Sequence, residues 1–275
     1  MRPTDPDYPP RLRELADPPD PLYLRGPLDL KAPAVAIVGA RRASEHGCDL
    51  TRRLAAHLAS YGVTIVSGGA LGIDAAAHAG ALDGGGTTWV VLPTPLDRPS
   101  PRTNRLLFER VLEAGGAWLS ERETPGHKSA FRDRNRIIAA LADLTVVVEA
   151  RARSGTFYTA DAAVRLGRPL WVLPWGLEDP RGEAGRVWAR RGASLMNTPD
   201  DLLRALQIPK RRRKRPRAAP ASALLDSITR APTSAEALAR EHQRPIASVL
   251  AELLQLELTG CVVARNGRFF PRRGI

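Results

Sequence analysis

The stretch from Phe131 to Asp161 carries residue types well suited to binding an anion. It reads FRDRNRIIAALADLTVVVEARARSGTFYTAD: arginines around a phenylalanine and an asparagine, then an apolar strand, then Ser154-Gly155-Thr156. In an open parallel sheet, ligands bind where strands end and helices begin. A helix N-terminus at that place offers free N–H groups and a positive dipole end to a phosphate. Guanidinium groups beside an aromatic ring favour a phosphate chain with bases, so the stretch predicts a nucleic-acid site.

The elements around this stretch alternate between strand and helix. Apolar runs typical of buried parallel strands occupy residues 34–40, 63–69, 87–93, 117–121, 144–150 and 169–175, with a short edge strand expected at 193–196. Helices are predicted between them, at residues 45–60, 73–82, 104–114, 131–142 and 159–166. The pattern predicts an α/β fold, with a Rossmann-like, doubly wound parallel sheet over residues 34–207.

Two segments flank this predicted domain. Residues 1–33 are rich in proline and predict an extended lead-in that packs on the domain through Tyr8, Leu12, Leu15 and Tyr23. Residues 208–221 include the run PKRRRKRPRAAP, which is too charged to pack and predicts a basic linker.

Residues 222–275 predict a small winged-helix domain. Helices are expected at 222–230, 234–241 and 246–258, the last with an apolar stripe of Val249, Leu250, Leu253, Leu254 and Leu256. Two strands follow, joined by Asn266-Gly267, which is typical of a type I′ hairpin. Modules of this kind bind either DNA or protein, and the sequence leaves both open.

Charge points to an acidic partner. The net charge is +12 and the isoelectric point is about 10.8, and nucleic acid is a common partner for such a protein. Residues 206–275 carry 14 basic against 5 acidic residues, so a basic site in the main domain has to be a local cluster. No apolar run reaches the roughly 18 residues of a membrane span, and the N-terminus lacks a signal segment. We therefore expect a cytoplasmic protein without membrane contact, with Cys48 and Cys261 reduced.

Other motifs argue against common cofactor and catalytic sites. Gly39 ends the first strand, but the later glycines of a dinucleotide fingerprint are missing, and Ser67-Gly68-Gly69 lacks the ending of a P-loop. His78 has no second histidine nearby and reads as a packed residue rather than a metal ligand. Glu149 and Asp161 flank the Ser-Gly-Thr turn without a recognisable catalytic arrangement. We expect no catalytic residue, no metal and no cofactor.

Several blocks of the sequence resemble a known family. VAIVGARRAS, SGGALGIDAAAH, FRDRNRIIAALAD and VVVEARARSGTFYTA are similar to successive signature blocks of the DprA/Smf family of bacterial DNA-processing proteins, over residues 8–206. The C-terminal region is similar to the small winged helix of many members. The resemblance implies binding and protection of single-stranded DNA, loading of the RecA recombinase in natural transformation, homodimerisation through the Rossmann domain, and no enzymatic activity.

The resemblance also implies which residues contact DNA. Carried onto this sequence, they are Gly39, Arg41, Arg42, Ser67, Gly68, Gly69, Lys128, Phe131, Arg134, Asn135, Arg136, Ser154, Gly155 and Thr156. Lys128 corresponds to a phosphate contact and Phe131 to a base-stacking ring, although Phe131 is also suited to a core position beside Ile137 and Ile138. Two departures stand out: prolines occupy the turn at 93–97, which reshapes that rim, and the N-terminal helical module of many members is absent.

Two alternatives remain for the function. A nucleotide phosphoribohydrolase on a related fold carries a G-T-x-x-E turn with a catalytic glutamate, where this chain has Thr159. Without that carboxylate, such an enzyme loses support for the developing sugar cation. The other alternative is a nucleotide-sensing module that signals through its winged helix.

Overall fold

The computed structural model describes residues 1–124, 129–151, 154–209, 222–258, 261–265 and 267–271. The chain forms two compact units, Met1–Lys210 and Arg211–Ile275. The basic run at 210–221 lies outside the described residues. No helix in the described ranges is long and apolar enough to cross a membrane.

The first unit is built on an eight-stranded sheet of order β1-β5-β4-β3-β2-β6-β7-β8. Its strands are β1 Tyr23–Arg25, β2 Ala34–Val38, β3 Thr64–Gly68, β4 Thr88–Val91, β5 Ala117–Ser120, β6 Leu144–Val147, β7 Leu170–Val172 and β8 Ser194–Leu195. Each neighbouring pair is parallel except β1 and β5. The fold class predicted from the alternating pattern, a doubly wound α/β sheet, is confirmed.

Helices cover both faces of this sheet. They are α1 Pro10–Arg13, α2 Glu45–Ser60, α3 Ile73–Asp83, α4 Arg105–Glu113, α5 Ala130–Asp133, α6 Asn135–Leu141, α7 Gly155–Arg165, α8 Glu183–Ala189 and α9 Pro199–Ala205. Side chains of α6, α7 and α8 share one core with the sheet, and those of α2, α3 and α9 share another. Strands that are covered on both faces bury every residue, as β2, β3 and β6 do. β2 is apolar throughout, whereas Thr64 and Ser67 in β3 and Thr145 in β6 are buried polar residues.

The N-terminal segment is more ordered than an extended lead-in. Tyr8, Leu12 and Leu15 are buried as expected, and the Tyr8 hydroxyl donates a 2.9 Å hydrogen bond to the Pro19 carbonyl. The segment also forms α1 and contributes β1, which lies antiparallel at the sheet edge with Tyr23 opposite Ser120. A three-residue strand in a proline-rich segment carries too little alternation to be recognised from sequence.

Two helix predictions next to the site need correction. The helix expected at 131–142 is divided at Arg134 into α5 and α6, and the N–H of Ile137 bonds the Arg134 carbonyl at 2.9 Å, a tightened i→i−3 turn. The helix expected at 159–166 begins earlier, at Gly155, so that Ser154 is its N-cap residue.

In its described residues, the second unit contains three helices and a hairpin. These are α10 Ala223–Arg230, α11 Ala235–Glu241, α12 Ile246–Leu258, and the antiparallel strands β9 Val262–Arg265 and β10 Arg268–Pro271. Arg268 pairs with Arg265, and Gly267 has φ 72° in the turn between them. The predicted stripe of α12 is only partly correct: Val249, Leu253 and Leu256 are buried, whereas Leu250 and Leu254 are exposed.

Candidate nucleic-acid interface

The candidate site lies where the strand order reverses, between the parallel neighbours β2 and β6. Chains leaving these two strands diverge to opposite sides, which opens a crevice at the carboxyl edge of the sheet. The Thr156 hydroxyl donates a 3.0 Å hydrogen bond to the Gly39 carbonyl and joins the two turns that border the crevice. A Cβ on Gly39 would lie 2.5 Å from Cγ1 of Ile73, so this close approach of backbone and helix requires glycine.

The N-terminus of α7 forms one wall of the site. The first N–H groups of a helix have no acceptor within the helix, and the Ser154 side chain does not cap them. Its hydroxyl oxygen is buried without a hydrogen-bond partner in the part of the chain that is described. Gly155 is exposed, with no atom within 4 Å of the position that a Cβ would take. This wall therefore presents backbone donors and a positive dipole end to an anion.

Arg41 and Phe131 form a second wall of the site, beside the turn after β2. The Arg41 guanidinium carbon lies 4.4 Å from the centroid of the Phe131 ring, within the range of a cation–π contact. Both Arg41 and Arg42 are exposed, and Phe131 is half-buried. Ile137 and Ile138 belong to a hydrophobic core of the first unit, whereas Phe131 belongs to none of the hydrophobic cores among the described residues. The core position considered for Phe131 does not describe its surroundings.

Arg134 lies in the floor of the site and is only 3% exposed. Its guanidinium donates hydrogen bonds to the Val91 carbonyl and, at 3.3 Å, to Oδ1 of Asn135. Burial lowers the pKa of Arg134 to about 10, an effect that Asp74 opposes. Burial likewise raises the pKa of Asp74, against the favourable charge of Arg134. The sequence assigned Arg134 to direct DNA contact, but its placement gives it a supporting role instead.

The turn after β3 is packed from below. The hydroxyl of Ser67 donates a 2.6 Å hydrogen bond to the Ile37 carbonyl and is fully buried, so it does not reach a ligand. A Cβ on Gly69 would lie 2.8 Å from Cζ of Phe108. Nε2 of His78 donates a 2.8 Å bond to the Gly68 carbonyl. The two glycines thus place backbone, rather than side chains, near the crevice.

Asn135 and Arg136 also support the site from within. The Asn135 amide donates a 3.0 Å hydrogen bond to the Gly155 carbonyl and so positions the start of α7. Arg136 pairs with Glu121 at 2.7 Å and donates a 3.1 Å bond to the Asp17 carbonyl, which attaches the N-terminal segment. Asn135 is 8% exposed, and the Arg136 side chain is 20% exposed.

The two carboxylates considered for catalysis have structural partners. Glu149 is buried and accepts hydrogen bonds from the N–H of Ser44, at 2.9 Å, and from the Ser44 hydroxyl, at the N-terminus of α2. Asp161 pairs with Arg165 at 2.8 Å, one turn further along α7. Thr159, at the position of the phosphoribohydrolase glutamate, is 1% exposed.

The proline-containing turn after β4 packs beside the turn that follows β3. The N–H of Arg98 bonds the Pro95 carbonyl at 3.1 Å, and the Ser100 carbonyl lies 3.3 Å from the Cβ position of Gly69. Leu92 and Ser100 therefore pack against the second glycine turn.

Comparison with known proteins gives the family. Residues 1–207 match the family of DNA recombination-mediator protein A, and residues 208–268 match the DprA winged helix domain. The chain belongs to the DprA/Smf family. Protein Smf of Escherichia coli is 35% identical over 97% of this chain and 75% of its own length. DNA processing protein DprA of Streptococcus pneumoniae is 37% identical over 71% of this chain and 70% of its own.

Solved structures of DprA proteins share the fold of the first unit. DNA processing protein A of Helicobacter pylori, whose structure describes its single-stranded DNA binding mode, is 32% identical, with a TM-score of 0.66 over 72% of this chain and 92% of its own. The Streptococcus pneumoniae protein is 35% identical, with a TM-score of 0.68 over 74% of this chain and 72% of its own.

The residues carried over from the DprA/Smf resemblance separate into two layers. In the outer layer, Arg41, Arg42 and Gly155 are exposed, Phe131 is half-buried, and Ser154 is half-buried with its hydroxyl oxygen covered. The buried layer beneath it comprises Ser67, Arg134, Asn135 and Thr156, with Gly39, Gly68 and Gly69 close-packed at its turns and Arg136 at its edge. Lys128 lies outside the described residues.

The sequence reading missed an arginine–aromatic pair beside this site. Arg132 follows Phe131 directly and lies over the ring of Tyr158, with its guanidinium carbon 5.3 Å from the ring centroid. The sequence did contain a signal for this pair: Tyr158 is an aromatic residue one turn after the Ser154-Gly155-Thr156 turn, at the fourth position of α7.

Proposed function

We propose that this protein binds single-stranded DNA at the carboxyl edge of its sheet. The observation that carries the proposal is the contact between the exposed Arg41 and the half-buried Phe131 at the turn after β2, together with the uncapped N-terminus of α7 after β6. A base stacks on the ring, while the phosphate beside it accepts hydrogen bonds from backbone N–H groups. A paired base hides its face within the duplex, so this arrangement favours single strands. The Helicobacter pylori relative binds single-stranded DNA, which supports this proposal.

The biological role that fits such binding is recombination. We propose that the protein acts in the cytoplasm as a homodimer, protects single-stranded DNA, and helps load the RecA recombinase onto it during transformation or repair. It does so without enzymatic activity, since both acidic candidates are committed to structural contacts. The phosphoribohydrolase alternative lacks its carboxylate, because Thr159 occupies that position and is buried.

A binding titration tests the central proposal. Labelled single- and double-stranded oligonucleotides are titrated with the full chain across a salt series, beside a nucleotide-hydrolysis assay. We expect tighter binding to single strands with little sequence preference, and a steep salt dependence of about 0.7 counterion per phosphate contacted. Equal affinity for duplex DNA, or a flat salt dependence, would overturn the proposal.

Loading of RecA has its own readout. RecA-dependent ATP hydrolysis is measured on single-stranded DNA that is already covered by a single-strand binding protein. Addition of the present protein should shorten the lag before hydrolysis. An unchanged lag would remove the recombinase from the proposal and leave DNA binding intact.

A further inference from the structure

A second arginine–aromatic pair, Arg132 of α5 with Tyr158 of α7, lies beside the Arg41–Phe131 stack. The Arg132 guanidinium carbon lies 5.3 Å from the centroid of the Tyr158 ring. Tyr158 belongs to α7 and is 47% exposed, and Arg132 is exposed as well. A large aromatic ring that is held at the surface by a cation resembles the platforms on which unpaired bases stack.

The two pairs are adjacent in the fold. Phe131 and Arg132 are consecutive in α5, and α5 packs against α7. Tyr158 follows Gly155 by three residues on α7, a spacing that places both on the same side of the helix. The uncapped N-terminus of α7 therefore has Tyr158 one helical turn away, and Phe131 lies on α5, the helix that packs against α7.

Phe157, the residue before Tyr158 on α7, packs in the core and so contrasts with Tyr158. Phe157 lies 4.8 Å from the Trp188 ring, centroid to centroid, and contributes to the core. Tyr158 contributes to none of the hydrophobic cores among the described residues. Arg132 has a loose contact with Asp133, 3.9 Å between Nε and Oδ1, so its charge remains open to an anion.

We propose that Tyr158 and Arg132 form a second base-stacking subsite for single-stranded nucleic acid, next to the one at Phe131. This inference rests on the proposed function. The ring of Tyr158 stacks on an unpaired base, and the guanidinium of Arg132 covers the stack and attracts the adjoining phosphate. Because the Arg132–Tyr158 contact already exists without DNA, little ordering of these side chains is needed on binding.

The test uses the full chain and oligothymidylates of increasing length. Tyr158→Ala should weaken binding of long oligonucleotides by about 5- to 150-fold, the equivalent of one lost base stack, with the salt slope unchanged. Tyr158→Phe keeps the ring and should bind like the wild type. The effect should vanish for oligonucleotides too short to extend from Phe131 to Tyr158.

Matched controls come from the same helix. Val164→Ala removes an exposed apolar side chain of α7 that is 49% exposed, and should leave affinity unchanged. Arg132→Ala should lower affinity more than Arg165→Ala, because both arginines are exposed in the free protein but only Arg132 stacks on a ring.

The outcomes separate the two proposals. If Phe131→Ala weakens binding while Tyr158→Ala binds long strands like the wild type, the second subsite is wrong and the proposed function stands. If the wild type fails to bind single strands, both are wrong. Should Tyr158→Ala fail to fold, photocross-linking of the wild type to 5-iododeoxyuridine strands decides: cross-links to Tyr158 support the subsite, and their absence beside cross-links to Phe131 overturns it.

Discussion

Arg134 and Asp74 face each other across the missing side chain of Gly68. Nη2 of Arg134 and Oδ2 of Asp74 each lie 2.5 Å from the position that a Cβ on Gly68 would occupy. Glycine is required there because these two charged groups fill the space beside its backbone. A buried guanidinium and a buried carboxylate thus form the floor of the candidate site, and the exposed groups above it depend on that floor.

Arg134→Ala should destabilise the protein by about 3–5 kcal/mol, because removing one of two opposed buried charges leaves the other without compensation. Urea denaturation measures the change in the free energy of unfolding. Arg132→Ala, at an exposed arginine of the same segment, should change the free energy of unfolding by no more than about 0.5 kcal/mol. Equal stability of the two variants would show that Arg134 is not part of the floor.

Charge and stacking can be separated at the Arg41–Phe131 wall. Phe131→Ala removes a stacking face worth about 1–3 kcal/mol per base but no cation, so affinity should fall while the salt slope stays constant. Arg42→Ala removes an exposed cation and should lower the slope by about 0.7. Fluorescence anisotropy across a salt series measures both. Arg165→Ala, a cation that already pairs with Asp161, is the control and should leave the slope unchanged.

An altered melting temperature would expose a different role for Phe131. Its ring is half-buried, so Phe131→Ala should lower the melting temperature only slightly. A large drop would indicate a cavity in the core rather than a lost platform.

The strand–helix alternation was predictable because strands covered on both faces and helices covered on one leave different apolar periods in the sequence. That alternation also located the crevice, since Gly39 and Ser154 follow strands that become neighbours at the reversal of strand order. The three-residue strand β1 has no such period, and its place depends on pairing with a strand nearly 100 residues away in sequence.

Which arginines of the segment 131–136 are exposed and which are buried was not predictable from the sequence. Arg132, Arg134 and Arg136 occupy alternate positions of FRDRNR. Because arginine is usually exposed, the residue type alone predicts a surface position for all three. The break between α5 and α6 turns Arg134 inward, where the Val91 carbonyl and Asp74 compensate its charge. The same limitation applies to α12, where an apolar residue type did not distinguish the buried Leu253 from the exposed Leu254.

Removal of residues 208–275 should leave the first unit folded and able to bind single strands, because each described residue of the candidate site precedes residue 208. Affinity should still fall, since the removed segment carries 14 of the 41 basic residues and attracts a phosphate backbone at long range. Circular dichroism and the anisotropy titration measure both effects. Complete loss of binding by a folded truncated protein would show that the DNA-binding site lies in residues 208–275.

The stability of the first unit should depend on pH through His78. Burial lowers the pKa of His78 to about 4, from 6.5 in an unfolded chain, so the folded state binds fewer protons between these values. Above pH 6.5, the neutral His78 therefore makes its full contribution to the free energy of unfolding. This contribution, about 3 kcal/mol in all, is lost as the pH falls toward 4. Denaturant unfolding at several pH values measures this decline. His78→Gln, which retains a donor for the Gly68 carbonyl, should make the decline shallower; an unchanged profile would contradict the assignment.

Stability and DNA binding should move in opposite directions at Gly155. An aspartate at this first position of α7 meets no atom at its Cβ and lies near the positive end of the helix dipole. Gly155→Asp should therefore stabilise the protein by about 0.3–1 kcal/mol. The same carboxylate would occupy the place proposed for a DNA phosphate. Two like charges 4 Å apart repel by about 1 kcal/mol in bulk water and about 4 kcal/mol near a protein surface, so affinity should fall by about fivefold or more.

Gly155→Asn is the matched control for this variant, since it has the same shape without the charge. Thermal unfolding and anisotropy titrations at low and high salt compare the two. The difference in affinity should shrink at high salt, because added ions screen the repulsion between carboxylate and phosphate. A Gly155→Asp protein that binds single strands as tightly as Gly155→Asn would show that no DNA phosphate binds at the N-terminus of α7, and would overturn that part of the proposed function.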